Sequence, residues 1–228
     1  SQKKWVTMFV VKNRLISLIG RTIGLILLLV ATIFYFLQIG SPSEALIYFN
    51  VQSCLLFLLI LFIEIISNSI DLRHGIKGIP AGINMKVALP CISYALVSGI
   101  IYFAVTIREH EVAYSIPGLL FNLGLIIIPL CDFLFFDEKG SVRWYNAFFS
   151  MIYPLFYLVF VMLRAYIWPN DLLYGSQTYP YDFLNPKNPY YLAYVFAAFL
   201  ILYAFNLVMM LINNLLSGKY SYLFRKDE

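Results

Sequence analysis

The sequence has few charged residues for a chain of its length. Only 12% of its 228 residues are Asp, Glu, Lys or Arg, whereas soluble domains carry about 25%. Hydrophobic residues make up 61%, so too little charge remains to cover a water-facing surface of this size. The scarcity of charge excludes an ordinary soluble domain and predicts a protein that lies largely within a membrane.

The motifs of familiar soluble enzymes are also missing. The sequence contains no HExxH, no P-loop, no GxGxxG and no GxSxG. Its two histidines, His74 and His110, fall in loops on opposite sides of the predicted membrane, so they cannot share a site. Cys54, Cys91 and Cys131 lie in apolar segments at a spacing that matches neither a metal site nor a disulfide framework. We therefore expect no metal and no cofactor.

Long apolar segments are what the sequence has in abundance. About 20 such residues are needed to cross a bilayer core of roughly 30 Å. The segments are apolar all round and lack the two-residue alternation of barrel strands. These features predict an all-α, six-transmembrane-helix bundle in a single membrane domain, 1–228, with spans at about residues 15–39, 44–66, 87–106, 118–136, 147–168 and 190–216.

Lysine and arginine are divided unevenly between the two sets of connecting segments. One set carries Lys3, Lys4, Lys12, Arg14, Arg73, Lys77, Lys86, Lys139, Arg143, Lys219, Arg225 and Lys226. The other set carries only Arg108 and Lys187. Because positive residues accumulate in cytoplasmic loops, this division predicts that both termini are cytoplasmic. The net charge of +4 is therefore explained by the lysines and arginines that set the membrane topology, and we expect no nucleic-acid partner.

Four charged side chains fall inside the predicted spans, where charge is costly and is often functional. They are Arg21, Glu64, Asp132 and Arg164. At a rise of about 1.5 Å per residue, the first three lie at similar depths near the cytoplasmic side. They predict an intramembrane ion pair of Arg21 with Asp132 or Glu64. Such a pair could simply fix the helix register, or Arg21 and Glu64 could extend to the membrane interface instead.

Arg164 belongs to the opposite end of the bundle. The second span starts there with polar residues, and the loop between the fifth and sixth spans is rich in tyrosine. A guanidinium with amides and hydroxyls beneath an aromatic loop suits a carboxylate or phosphate headgroup. The predicted ligand-binding residues are Asn50, Gln52, Arg164, Tyr181 and Asp182, with a membrane lipid or fatty-acyl ligand as the partner. The alternative is that Arg164 reaches the interface within an ordinary aromatic belt.

Four motifs follow one another along the chain. They are YFNVQS at residues 48–53, PLCDFLFFDEKG at 129–140, YPLFY at 153–157 followed by Arg164, and YPYDFL at 179–184. In order and spacing they resemble the bacterial six-helix relatives of the androgen-induced transmembrane protein family, over residues 14–216. The resemblance implies a lipid-facing protein of a bacterial plasma membrane. Animal members of that family are threonine hydrolases that act on fatty-acid esters of hydroxy fatty acids.

Both catalytic positions of that family are replaced in this chain. The threonine position is occupied by Asn50, and the histidine position by Leu125, with Asn122 as the nearest polar residue. An amide cannot serve as an alkoxide nucleophile, and leucine cannot accept a proton. Ser53, one turn from Asn50, is the remaining weak candidate for a nucleophile.

The sequence therefore favours a non-catalytic membrane protein with a lipid-binding or accessory role. An active lipid-ester hydrolase that uses Ser53 is the first alternative. A small transporter, or a subunit of a membrane complex with a protein partner, is the second. The prolines within spans, Pro90, Pro129 and Pro154, do not decide between these alternatives because membrane helices tolerate proline.

Overall fold

The computed structural model describes residues 10–106, 115–173 and 178–217. Every regular element in these segments is helical, and six helices are long and apolar enough to cross a membrane. The six spans are Arg14–Ile39, Phe49–Arg73, Met85–Ala104, Ile116–Phe135, Asn146–Ile167 and Tyr191–Leu216. The prediction of an all-α, multi-pass membrane protein is confirmed at this level.

Part of the orientation prediction rests on residues that the structure does not cover. Lys3, Lys4, Arg108, His110, Lys219, Arg225 and Lys226 lie outside the described residues.

The second span differs most from its predicted bounds of 44–66. Ser41 caps a separate short helix, Pro42–Ala45, and the extended backbone of Tyr48 delays the start of the span to Phe49. At the other end the helix continues to Arg73. Asn68 there donates to the carbonyl oxygen of Glu64 at 2.9 Å, so this polar segment stays helical. Glu64 consequently lies in the helix interior and not near its end.

Two other spans are locally irregular. The α-helix Met85–Ile101 of the third span passes into a π-helical turn, Tyr102–Thr106. The fifth span consists of a short helix, Asn146–Phe149, and a longer one, Ile152–Ile167. A 3-10 turn, Asp182–Leu184, precedes the sixth span.

The first four spans form a closed ring around the apolar core. The first span packs against the second and fourth, and the third packs against the same two. Their buried side chains include Leu28, Phe57, Leu89, Phe121 and Leu125. The sixth span packs on the third, with Met209 and Met210 in the core. The fifth span joins through a smaller cluster of Tyr157, Val161 and Leu184.

Candidate functional site

A cluster of buried charges lies at the end of the bundle where the second–third and fourth–fifth connections meet. Arg21 of the first span is its centre. Its Nε donates to Asp132 Oδ1 at 2.7 Å, and its Nη2 lies 3.0 Å from both Asp137 Oδ1 and Glu64 Oε2. These four residues are at most 3% exposed. The structure thus brings Arg21 together with both residues proposed as its partners, and adds Asp137.

The second–third connection covers this charged cluster. Arg21 Nη1 donates to the carbonyl oxygen of Ala81 at 2.8 Å, and the Ile83 amide donates to Glu64 Oε1 at 3.0 Å. The Asn68 side chain accepts from the Ala81 amide at 2.8 Å and donates to its carbonyl oxygen at 3.0 Å. This part of the connection is not helical, so its backbone groups lack the hydrogen bonds that a helix would provide. Side chains of the spans supply these hydrogen bonds instead.

Lys139 is the second cation of the charged cluster. The sequence predicts a loop residue at this position, but Lys139 is only 1% exposed. Its Nζ donates to the carbonyl oxygens of Phe133 and of Asp137, the latter at 2.8 Å, and lies 4.4 Å from the centroid of the Phe133 ring. The turn is fixed by Gly140, which has a φ of 82° and donates its amide to Asn213 Oδ1 at 2.8 Å.

Burial shifts the protonation equilibria of this turn. The pKa of Asp137 is raised to about 7, because burial and then the neighbouring Asp132 carboxylate disfavour its ionised form. The pKa of Lys139 is lowered to about 8, mainly because burial disfavours the ammonium form. Both groups therefore titrate close to neutral pH.

At the opposite end of the bundle, Arg164 binds the loop that follows its own span. Its Nη1 donates to the carbonyl oxygen of Thr178 at 3.0 Å, and its Nη2 donates to the carbonyl oxygen and Oδ2 of Asp171 at 2.9 and 2.8 Å. The guanidinium is nearly buried, whereas the Asp171 side chain is 67% exposed. Arg164 thus ties Asp171 and Thr178 of this loop to the fifth span.

The other proposed ligand residues at this end also hydrogen bond within the protein. Gln52 Nε2 donates to the carbonyl oxygen of Leu46 at 2.8 Å, and its Oε1 accepts from the Tyr153 hydroxyl at 2.6 Å. The Asn50 side chain accepts from the Val51 amide at 2.9 Å and hydrogen bonds with Tyr35. The Tyr181 hydroxyl accepts from the Phe49 amide at 3.2 Å. Asn50 and Tyr181 therefore meet at the start of the second span.

A shallow, open surface hollow of about 450 Å³ lies at the start of the sixth span. It is lined by Asp182, Asn185, Lys187, Asn188, Pro189, Tyr190 and Tyr194. Of the five residues proposed as ligand contacts, Asp182 alone is in this lining. The remaining lining residues were not predicted, although the sequence NPKNP immediately before an apolar span was a usable signal.

Ser53, the weak nucleophile candidate, is fully buried. Its Oγ donates to the carbonyl oxygen of Phe49 at 2.7 Å and contacts Ser98 Oγ at 3.4 Å. Among residues 10–106, 115–173 and 178–217, no hydrogen bond joins it to an acidic or basic side chain. Comparisons of the chain with protein-family models, with curated proteins and with solved structures find no match.

Proposed function

We propose that the chain is an integral membrane protein that binds a phospholipid headgroup in the hollow beside the sixth span, without reacting with it. The observation that carries this proposal is the lining of the hollow, which combines Lys187, Asp182 and amide side chains. Lys187 suits a lipid phosphate, and Asp182 suits the ammonium group of a zwitterionic headgroup. The hollow adjoins the start of an apolar span, which is the level at which headgroups lie.

Arg164 supports this function indirectly. Its hydrogen bonds hold the loop through Asp171 and Thr178, and the loop then leads to the turn that carries Asp182. Asn50, Gln52 and Tyr181 fix the adjoining end of the second span in the same way. The five residues proposed from the sequence therefore act mostly as the framework of the site, with Asp182 as the contact residue.

The same geometry favours a binding role over hydrolysis. Ser53 is buried and donates its hydrogen bond to a backbone carbonyl oxygen, so its proton is not directed to a base among the described residues. The position of the family's catalytic histidine holds Leu125, which is fully buried in the apolar core. We propose that the chain keeps a scaffold like that of the fatty-acid-ester hydrolases and uses it as a lipid-binding or accessory protein.

We further propose that the end with the charged cluster faces the cytoplasm of a bacterial cell. Arg73, Lys77, Lys86 and Arg143 all lie in or beside the two connections that meet at this end. Lys187 lies at the opposite end. By the positive-inside rule, this distribution of charge supports the proposal that both termini are cytoplasmic.

The lipid proposal is tested by native mass spectrometry of the purified full chain in nanodiscs that contain phosphatidylethanolamine and phosphatidylglycerol. We expect Lys187→Ala to retain several-fold less lipid than the wild type. Lys77→Ala is the matched control, because it removes an exposed lysine from the other end of the bundle. Equal retention by the two variants would remove the hollow as the lipid site.

A further inference from the structure

The charged cluster does not balance its own charge. It contains three carboxylates, Glu64, Asp132 and Asp137, and two cations, Arg21 and Lys139. With every group ionised, its net charge is −1. Among the other charged residues described at this end, Arg14 pairs with Asp71, and the rest are exposed to solvent and outside the cluster: Lys12, Arg73, Lys77, Lys86, Glu138 and Arg143. An isolated buried charge is costly, and buried groups normally acquire a compensating ion or proton.

Two oxygens of the charged cluster also lack a partner. Within the described segments, Asp132 Oδ2 and Asp137 Oδ2 are buried and accept no hydrogen bond, and Glu64 Oε2 has only its ion-pair contact with Arg21 at 3.0 Å. The three carboxylates converge, because each offers one oxygen within 4.8 Å of an oxygen from the others. Buried oxygens without partners are rare in folded proteins and indicate a missing ligand or proton.

A neutral side chain on the first span points to the same conclusion. Ser17 precedes Arg21 by one helical turn and lies on the same buried face. It is fully buried, and its Oγ also has no hydrogen-bond partner in the described part of the chain. The first span therefore carries an unpartnered, buried hydroxyl one helical turn from Arg21.

We propose that the charged cluster binds one exchangeable monovalent cation, a proton or a sodium ion, through carboxylate oxygens of Glu64, Asp132 and Asp137. A single positive charge neutralises the cluster and gives a partner to Asp132 Oδ2 and Asp137 Oδ2. A divalent ion would instead leave a net charge of +1 beside Arg21.

Glu64 lies close to an exposed residue of the covering connection. Gly82 lies in the connection that covers the charged cluster, and it is exposed. A β-carbon at this position would lie only 3.5 Å from Glu64 Oε1. The cluster is therefore near the surface of the protein at this point, although Glu64 itself is buried.

This inference does not depend on the lipid site, which lies at the opposite end of the bundle. The experiment measures thermal unfolding midpoints of the purified full chain in detergent between pH 5 and 9. Sodium chloride is titrated against choline chloride at constant ionic strength. A saturable rise of several degrees with sodium alone identifies sodium as the occupant. A midpoint that falls as pH rises, with no sodium effect, identifies the proton.

Glu64→Gln distinguishes the site from general effects of salt and pH. It removes one negative charge and neutralises the cluster, so we expect the cation dependence to be lost. Asp71→Asn, on the same helix but outside the cluster, should keep it. If Glu64→Gln does not fold, Asp137→Asn makes the same charge change. Identical sodium and pH responses in wild type and cluster variants would overturn the proposal.

Discussion

Arg21 shows how a single residue holds several elements together. Its guanidinium contacts carboxylates from the second span, the fourth span and the turn after it, and also the carbonyl oxygen of Ala81. The planar fork of arginine makes such multiple contacts possible, whereas lysine offers a single point charge. Removing one partner from a buried ion cluster typically costs about 3–5 kcal/mol, because the remaining charges stay buried. Arg21 is therefore a structural requirement as well as part of a site.

At the same scale, Asp137 gives a prediction about pH. Its pKa is about 7 in the folded chain, against an ordinary value of 3.8. Between these values the native protein binds more protons than the unfolded chain, so stability falls as pH rises from about 4 to 7. We expect Asp137→Asn to flatten this decline in the thermal unfolding midpoint, and Asp71→Asn to leave it unchanged.

The measurement is kept below pH 8 because Lys139 acts in the opposite direction. Its pKa is lowered to about 8, so above that value the unfolded chain binds more protons and stability rises with pH. A decline that persists undiminished in Asp137→Asn would assign the effect to another group.

At the scale of elements, close helix contacts depend on glycine. A β-carbon on Gly99 of the third span would lie 2.6 Å from Ile126 Cγ1 and 2.8 Å from the backbone oxygen of Asn122. Small residues at such crossings let membrane helices approach closely. Gly99→Ala should destabilise the protein by about 1–3 kcal/mol, because the backbone oxygen cannot move aside.

Gly124→Ala is the matched control for that substitution. Its β-carbon would meet the end of the Leu28 side chain at 3.1 Å, and this side chain can adjust. We expect a clearly smaller loss in the thermal unfolding midpoint for Gly124→Ala than for Gly99→Ala. Equal losses would show that the third and fourth spans separate easily at this crossing.

The elements also show what the sequence can and cannot reveal. Six spans follow from apolar length alone, because a membrane demands about 20 such residues per helix. Apolar length does not predict the bounds of the second span. Asn68 remains helical because its side chain hydrogen bonds with its own helix and with Ala81.

The charged residues of the cluster were predictable only in part. Arg21, Glu64 and Asp132 can be identified from the sequence because they are charges inside predicted spans. Asp137 and Lys139 follow the apolar segment, so in the sequence they resemble a solvated turn.

That turn is buried by a contact from far along the chain. Asn213 accepts from the Gly140 amide and donates to the carbonyl oxygen of Glu138, and Asn214 donates to that of Val142. These hydrogen bonds join residues more than 70 positions apart, so no local sequence pattern predicts them. The net charge of the cluster emerges only from the folded chain.

At the scale of the whole molecule, the polar groups form two layers separated by an apolar core. The charged cluster lies at one end of the spans, and the hollow with Lys187 lies at the other. Glu64 lies 15 residues from Phe49, and Asp132 lies 16 residues from Ile116, at the opposite ends of their helices. At 1.5 Å per residue the two layers are therefore separated by roughly 22–24 Å. Sites this far apart, with no shared hydrogen-bond partners, normally contribute independently to stability.

Independence of the two layers is therefore the last prediction. Lys187→Ala should lower lipid retention and leave the sodium and pH responses of unfolding unchanged. Glu64→Gln should abolish the sodium and pH responses and leave lipid retention unchanged. In the double variant the changes in unfolding midpoint should add. Departure from additivity would mean that the spans shift as a unit when the cluster changes its charge. Such coupling between a cation site and a lipid site is what a transporter requires, and it would favour transport over a purely accessory role.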